Sequence, residues 1–153
     1  MSDVSLDIRC REIDADALFA VLADFDGHAQ RAPSVRSVAC YADADGRRVS
    51  EWEVHFRNGV LRWSEWDVVD PAQRTMRFVQ RDGDPVHFEG SWRLTPAGDD
   101  CLVSFRATFD LGVATFAEVI DPIAEQALRD NILDLVDSVA PSGIAVIEAG
   151  DVG

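Results

Sequence analysis

Hydrophobic and polar residues alternate along the middle of the chain with the two-residue period of β-strands. Residues 49–56 and 61–68 show this alternation, and the Asn58-Gly59 pair between them is typical of a type I′ hairpin turn. Counting outward from that turn pairs Phe56 with Leu61, Val54 with Trp63, Trp52 with Glu65 and Ser50 with Asp67. Opposed side chains share a face of the sheet, so this mostly apolar face should be the covered one. Its far end carries two carboxyl groups, which need partners or water if buried. The pattern therefore predicts an aromatic pocket with a polar end.

The same period predicts five more strands, at residues 5–11, 34–41, 75–81, 86–94 and 102–109. Pairing Trp92 with Phe105 brings the apolar faces of the last two strands together. A tight hairpin at residues 82–83 would set Phe78 opposite His87, which breaks the apolar pattern. We therefore expect a bulge or a longer loop at that connection.

Helical patterns flank this run of strands. Two short helices are predicted after the first strand, one capped by Asp14 or Asp16 and the other at residues 24–32. After residue 112 the apolar period changes to 3.6, and Asp121-Pro122 is typical of a helix start. The apolar stripe of this long helix comprises Phe116, Ile120, Ile123, Ala124, Ala127, Leu128, Ile132, Leu135, Val136 and Val139.

Length, charge and cysteine content bound the function classes. The 153 residues suit one α+β domain at residues 1–140, followed by a loosely packed tail at residues 141–153. The net charge of −14, with arginine as the sole basic residue type, disfavours nucleic acid and anionic membranes as partners. No apolar run reaches the roughly 18 residues of a membrane span, and the N-terminus lacks the apolar core of a signal peptide, so we expect a cytoplasmic protein. Cys10, Cys40 and Cys101 lack metal-ligand spacing and no phosphate-binding glycine loop occurs, so we expect neither metal nor cofactor.

This order of elements, with the residues in it, resembles the START-like polyketide cyclase/dehydrase superfamily (SRPBCC). The resemblance rests on the segments Leu18–Val38, Gly59–Pro71, His87–Gly98, Phe105–Gly112 and Ile120–Ile132. It implies a helix-grip fold, in which a curved antiparallel sheet of about seven strands wraps on the long C-terminal helix around an internal ligand cavity. Polyketide aromatases of this kind often have a small hydroxyl residue and an arginine at the positions that match Glu65 and Asp67. Two acids at these positions invert that charge.

Seven aromatic residues point toward the predicted covered face: Trp52, Trp63, Phe78, Phe88, Trp92, Phe105 and Phe109. They either form an ordinary core or line a cavity in which flat rings stack on a ligand. The resemblance favours cavity lining for Trp63, Phe88 and Trp92. Asn131 interrupts the stripe of the long helix, where it either binds a ligand carbonyl or lies on a flank. His28, His55 and His87 show neither triad nor metal spacing and are interpreted as surface residues.

Glu65 and Asp67 lie two apart on one strand and therefore point the same way. Two acids in a low-dielectric pocket repel each other, so one of them should keep a proton near neutral pH. Such a pair can take an α-proton and return it to a carbonyl, as aldol cyclisation and dehydration require. The alternative is a solvated rim, or ion pairing with Arg48, Arg77 or Arg81.

These observations lead to one principal functional hypothesis and two alternatives. The principal hypothesis is a cofactor-independent cyclase or dehydratase, similar to an aromatase, that acts on a polyketide or related polyketonic molecule. Glu65 and Asp67 would move protons, and Trp52, Trp63, Phe78, Phe88, Trp92, Phe105 and Asn131 would bind the substrate. The first alternative is a carrier of a lipid, an isoprenoid quinone or an aromatic metabolite. The second is an interaction module whose acidic surface binds a basic partner.

Charge also bears on how a substrate would arrive. Family aromatases act on chains presented by an acyl carrier protein, and such carriers are usually acidic. A domain with a net charge of −14 would repel an acidic carrier. Unless an arginine cluster such as Arg57 and Arg62 offsets this locally, we expect a free small substrate.

Overall fold

The computed structural model describes residues 2–112 and 117–147. Its strands are β1 (Ser2–Cys10), β2 (Val35–Ala42), β3 (Arg48–Phe56), β4 (Gly59–Asp70), β5 (Thr75–Gly83), β6 (His87–Ala97), β7 (Asp100–Asp110) and β8 (Ile144–Val146). Its helices are α1 (Ala15–Ala23), α2 (His28–Arg31) and α3 (Ala117–Val139), with a 3₁₀ turn at Phe25–Gly27. None of the helices in these residues is long and apolar enough to cross a membrane.

All strands join one antiparallel sheet in the order β2-β3-β4-β5-β6-β7-β1-β8. The three helices pack against one face of this sheet, and the apolar core lies between the two layers. The predicted α+β helix-grip architecture is therefore confirmed. The sheet has eight strands rather than about seven, because Ile144–Val146 of the predicted loose tail pairs with β1 along Ile8–Cys10.

The central hairpin turns one position earlier than the Asn58-Gly59 pair indicated. Phe56 pairs with Gly59, and Arg57 adopts the left-handed backbone conformation with φ 58°. The predicted partners are therefore wrong by two residues: Trp52 lies opposite Trp63, and Ser50 opposite Glu65. A shift of two preserves the predicted faces, because side chains alternate with a period of two. The observed register places two indoles directly opposite each other, a pairing that stabilises antiparallel strands.

The β5–β6 connection is longer than a tight hairpin, as predicted. Phe78 pairs with Gly90 rather than with His87, and Trp92 pairs with Phe105 as expected. Gly90 is required for close packing, since an added Cβ would overlap the backbone of β7 and lie 2.8 Å from the Phe78 ring. This pairing brings the aromatic faces of three strands together.

The helix boundaries differ from the sequence prediction in two places. Asp14 caps α1 as expected, accepting a hydrogen bond from the Ala17 amide at 3.0 Å. The single short helix predicted at residues 24–32 is instead the 3₁₀ turn followed by α2. Helix α3 begins at Ala117, so the start predicted at Pro122 is wrong and the proline lies inside the helix. Proline is favoured in the first turn of a helix, where the backbone N–H groups have no intrahelical partner, but Pro122 lies beyond that turn and leaves one backbone hydrogen bond of the helix unmade.

The apolar stripe of α3 is largely confirmed. Its buried members are Ala124, Leu128, Ile132, Leu135, Val136 and Val139. Ile123 is exposed, whereas the next residue, Ala124, is buried. Phe116 and the side chain of Ile120 lie outside the described residues.

Candidate functional site

A cavity of about 70 Å³ lies in the core between the sheet and α3. All seven residues predicted to bind a ligand line it, namely Trp52, Trp63, Phe78, Phe88, Trp92, Phe105 and Asn131. The sequence analysis missed the remaining lining residues apart from Glu65: Leu22, Phe25, His28, Ser34, Val35, Val54, Phe56, Leu61, Met76, Leu128, Ile132 and Leu135. Their apolar period was visible, but a period does not separate cavity walls from ordinary core.

The cavity is small for a binding site. Since a water molecule takes about 30 Å³ in the liquid, the cavity holds about two waters. Sites for drug-sized ligands measure about 300–1,000 Å³. A ligand of that size therefore fits only if lining side chains move from the positions they hold here.

Those aromatic side chains pack against one another across the cavity. The indoles of Trp52 and Trp63 are parallel within 3°, with ring centroids 5.9 Å apart. Phe88 meets Trp63 edge-on at 5.4 Å, and Trp92 meets Phe105 edge-on at 4.7 Å. Phe109, the remaining aromatic residue of the predicted set, is not among the lining residues and packs in the core beside Phe88. The walls therefore present both faces and edges of rings to whatever occupies the space.

Glu65 and Asp67 are both buried on the cavity-facing side of β4. The Trp63 indole N–H donates to Oε1 of Glu65 at 2.7 Å, and the Ser50 hydroxyl donates to Oδ2 of Asp67 at 2.5 Å. Glu65 lines the cavity, whereas Asp67 is not among the lining residues. Because both acids are buried, the solvated-rim alternative is wrong, and Glu65 is the acid placed to contact a ligand in the cavity.

The two carboxyl groups perturb each other's ionisation. Burial raises the pKa of Glu65 well above its ordinary value, and a hydrogen bond to Asp67 and the charge of Asp67 raise this pKa further, while hydrogen bonds from Trp63 and Ser50 oppose the rise. Burial also raises the pKa of Asp67, but hydrogen bonds from Glu65 and Ser50 and the charge of Arg48 oppose that rise. These shifts favour the protonated form of Glu65 and the ionised form of Asp67, so Glu65 is the donor in the hydrogen bond between them.

His28 is fully buried in the cavity wall, so its interpretation as a surface residue is wrong. Its Nε2 donates to the Leu22 carbonyl at 2.9 Å, and its Nδ1 accepts from Arg31 at 2.9 Å. Burial lowers the pKa of this imidazole, so the ring is neutral. No sequence signal indicated this burial, because α2 is too short to show a period. His55 is exposed and His87 half-buried, in line with the prediction for both.

Asn131 joins α3 to the central hairpin. Its Nδ2 donates to the His55 carbonyl at 3.0 Å, and the residue also lines the cavity. The residue is therefore both a helix-to-sheet contact and a polar group in a mostly apolar wall.

The cavity combines an acid with apolar surroundings. A neutral carboxyl donor faces the space, with a carboxylate behind it to accept or return a proton. Within residues 2–112 and 117–147, no group of three His, Cys, Asp or Glu side chains is arranged to hold a metal ion.

Comparison with known structures identifies the fold. A protein from Thermus thermophilus superimposes with a TM-score of 0.81 at 20% identity, covering 91% of this chain and 94% of that chain. The Zhui aromatase/cyclase from Streptomyces sp. R1128 gives a TM-score of 0.75 at 18% identity, covering 91% of each chain. A START superfamily protein from Mycobacterium smegmatis gives 0.76 at 15% identity, covering 90% of this chain and 96% of that chain.

Sequence comparison gives a consistent result. No curated protein matches the sequence. The family model described as polyketide cyclase / dehydrase and lipid transport matches residues 12–136. This match covers most of the chain and includes every residue of the cavity wall and both acids. The chain therefore belongs to the polyketide cyclase/dehydrase and lipid transport family, with a START-like helix-grip fold.

Proposed function

We propose that this protein is a cofactor-independent cyclase/dehydratase that acts on a polyketide or a related polyketonic small molecule. One arrangement carries the proposal: Glu65, whose pKa is raised by burial and by Asp67, lines an aromatic cavity beside that second buried acid. An ordinary core would not bury two acids, because their desolvation is unfavourable by several kilocalories per mole. Placing them beside a cavity makes their proton available to a ligand.

The dyad can carry out both proton transfers that dehydration of a β-hydroxy ketone requires, one to the leaving hydroxyl and one from the α-carbon. Glu65 gives its proton to the departing hydroxyl, and the C–O bond breaks to release water. The carbon between that centre and the ketone loses an α-proton, and its C–H electrons become the new C=C bond. The α-proton returns to the Glu65 carboxylate, so the dyad ends as it began. Asp67 accepts a hydrogen bond from neutral Glu65 and so keeps the proton on Glu65 between turnovers.

The aromatic walls would hold the substrate. Flat conjugated ketones stack well on indole and phenyl faces, and Trp52 and Trp63 offer such faces. Asn131 would orient a carbonyl through its amide once the helix shifts from the His55 contact. Apolar walls also exclude water, and the electrostatic interactions between the dyad and a substrate are stronger where water is absent.

The test compares three isosteric variants. In Glu65→Gln, the amide still accepts from Trp63 and donates to Asp67, so the fold is kept while the transferable proton is lost. We expect turnover of a poly-β-ketone or β-hydroxy ketone to fall by about 10²- to 10⁴-fold, the usual contribution of a general acid. Asp67→Asn should also lower turnover. Glu53→Gln is the matched control, because Glu53 lies on the same hairpin but contacts Ser37 and Arg62 on the other side. Full activity in both dyad variants would refute the proposal.

A second candidate is a non-catalytic carrier of a lipid, an isoprenoid quinone or an aromatic metabolite. The observation that favours it is the cavity lining, in which apolar side chains greatly outnumber polar ones. Native mass spectrometry of the purified protein distinguishes the two. A co-purifying quinone or lipid supports the carrier, whereas an empty protein that converts a poly-β-ketone supports the enzyme.

The charge distribution supports delivery of a free substrate. Of the two arginines near the hairpin end, Arg62 is paired with Glu53 at 2.9 Å. Arg47, at the other end of the hairpin, is paired with Asp43 at 3.1 Å. Arg62 and Arg47 are therefore largely neutralised, which weakens the attraction of this end of the domain for an acidic acyl carrier protein.

A further inference from the structure

We propose that Ser50 is a positioning residue that keeps Asp67 ionised and so places the shared proton on Glu65, at the cavity wall. The inference rests on the proposed function in that Glu65 is the acid that meets the substrate. It goes beyond that function by naming the group that decides which of two neighbouring acids carries the proton.

The direction of the hydrogen bonds fixes the role of Ser50. The Trp52 indole N–H points at the Ser50 Oγ at 2.8 Å, and an indole nitrogen can only donate. Ser50 must therefore accept from Trp52. Its own single proton is then free to donate, and Asp67 Oδ2 lies 2.5 Å away. So short a hydroxyl bond is typical of a charged acceptor.

Strand geometry allows Ser50 few other partners. Ser50 lies directly opposite Glu65 on the neighbouring strand, and Asp67 is two residues further along on the same face. The serine is fully buried, so bulk water does not compete for its hydroxyl. Ser50 also lowers the pKa of Glu65, but its hydroxyl proton can serve only one carboxyl group at a time, and the 2.5 Å hydrogen bond gives it to Asp67.

The remaining contacts also favour a proton on Glu65 and a negative charge on Asp67. Glu65 accepts from the Trp63 indole through Oε1, which leaves its other oxygen to carry the proton toward Asp67. Arg48 adds positive charge near Asp67, while its guanidinium is held by the Ala23 carbonyl at 3.0 Å and by the Phe25 ring. The chain of bonds thus runs from one stacked indole through Ser50 and both acids to the other indole.

The experiment reads the two protonation states directly. Carboxyl ¹³C resonances of the protein would be followed through a pH titration and assigned with Glu65→Gln and Asp67→Asn. In the wild type we expect Glu65 at its protonated chemical shift and Asp67 at its ionised shift near neutral pH. In Ser50→Ala we expect the Asp67 resonance to move toward its protonated shift and the Glu65 resonance to move toward its ionised shift.

Two further variants separate this role from simple packing. Ser50→Thr retains the hydroxyl and should restore the wild-type pattern. Ser64→Ala makes the same substitution at another buried serine of the hairpin and should leave both resonances unmoved. If Ser50→Ala fails to fold, Trp52→Phe keeps a ring but removes the N–H that orients the serine. It should move the two resonances in the same directions by a smaller amount.

Unchanged carboxyl resonances in Ser50→Ala, or in Trp52→Phe when it substitutes for that variant, would overturn the proposal. A failure of Ser50→Thr to restore the pattern, or a shift in Ser64→Ala as large as that in Ser50→Ala, would also overturn it. None of these readings depends on turnover. A redistributed proton in a protein without cyclase activity would support the role of Ser50 and count against the proposed function alone.

Discussion

Replacing Glu65 by glutamine should change how stability depends on pH, and the direction follows from the buried dyad. The pKa of Glu65 is raised in the folded protein, while the unfolded chain titrates near the ordinary value of 4.5. Above that value the unfolded state releases a proton that the folded state retains. Fewer protons on the unfolded state mean that the free energy of unfolding falls as pH rises. Glutamine does not titrate, so Glu65→Gln lacks this loss.

The size of the expected change in the free energy of unfolding follows from one retained proton and two hydrogen bonds. One retained proton changes the free energy of unfolding by about 1.4 kcal/mol per pH unit within the window between the unfolded and folded pKa values. Below about pH 4.5 the variant and the wild type should differ by less than about 1 kcal/mol, because glutamine keeps the bonds to Trp63 and Asp67. At higher pH the variant should become progressively more stable than the wild type.

Urea unfolding at a series of pH values measures this difference, since effects common to both proteins cancel. Glu53→Gln is the control of opposite sign. A hydrogen bond from Ser37 and bonds to Arg62 lower the pKa of Glu53, so its contribution is present at neutral pH and disappears as pH falls. If the difference between Glu65→Gln and the wild type stays constant from about pH 5 to about pH 8, Glu65 ionises normally in the folded protein and the dyad argument fails.

Three other outcomes follow from the structure. Arg57→Gly should stabilise the protein by about 0.5 kcal/mol and raise its Tm by about 1–2 °C, because glycine adopts the left-handed backbone at φ 58° without strain. Arg57→Ala keeps a Cβ and should give no such rise in Tm. Gly90→Ala should destabilise by about 3 kcal/mol through overlap with the β7 backbone, whereas Gly59→Ala, with no atom within 4 Å of an added Cβ, should be nearly neutral in the same melts. Binding of an acidic acyl carrier protein should be undetectable by calorimetry at low salt, and a micromolar complex that weakens with added salt would restore carrier-bound delivery.

Alternation along the chain determined which side chains share a face. Ser50, Glu65 and Asp67 were assigned to the covered face from the two-residue period alone, and all three are buried there. The assignment of faces is correct although the predicted register was wrong by two residues, because a shift of two leaves every side chain on its face. The same period identified the aromatic residues that line the cavity.

The register and the hydrogen bonds were decided by tertiary structure. The turn type at Arg57 places Ser50 opposite Glu65 rather than opposite Asp67, and no local sequence signal distinguishes these two pairings. Burial of His28 depends on how a short helix packs against the strand that carries Trp52.

The volume of the cavity and the identity of the protonated acid also depend on tertiary structure. Cavity volume is a sum over side chains from every layer of the fold, so no segment of the chain determines it. The Ser50 hydroxyl, which the Trp52 indole orients, and the charge of Arg48 both oppose the rise in the pKa of Asp67. The sequence therefore determined the residue types and their faces, and packing between distant segments determined which groups contact each acid.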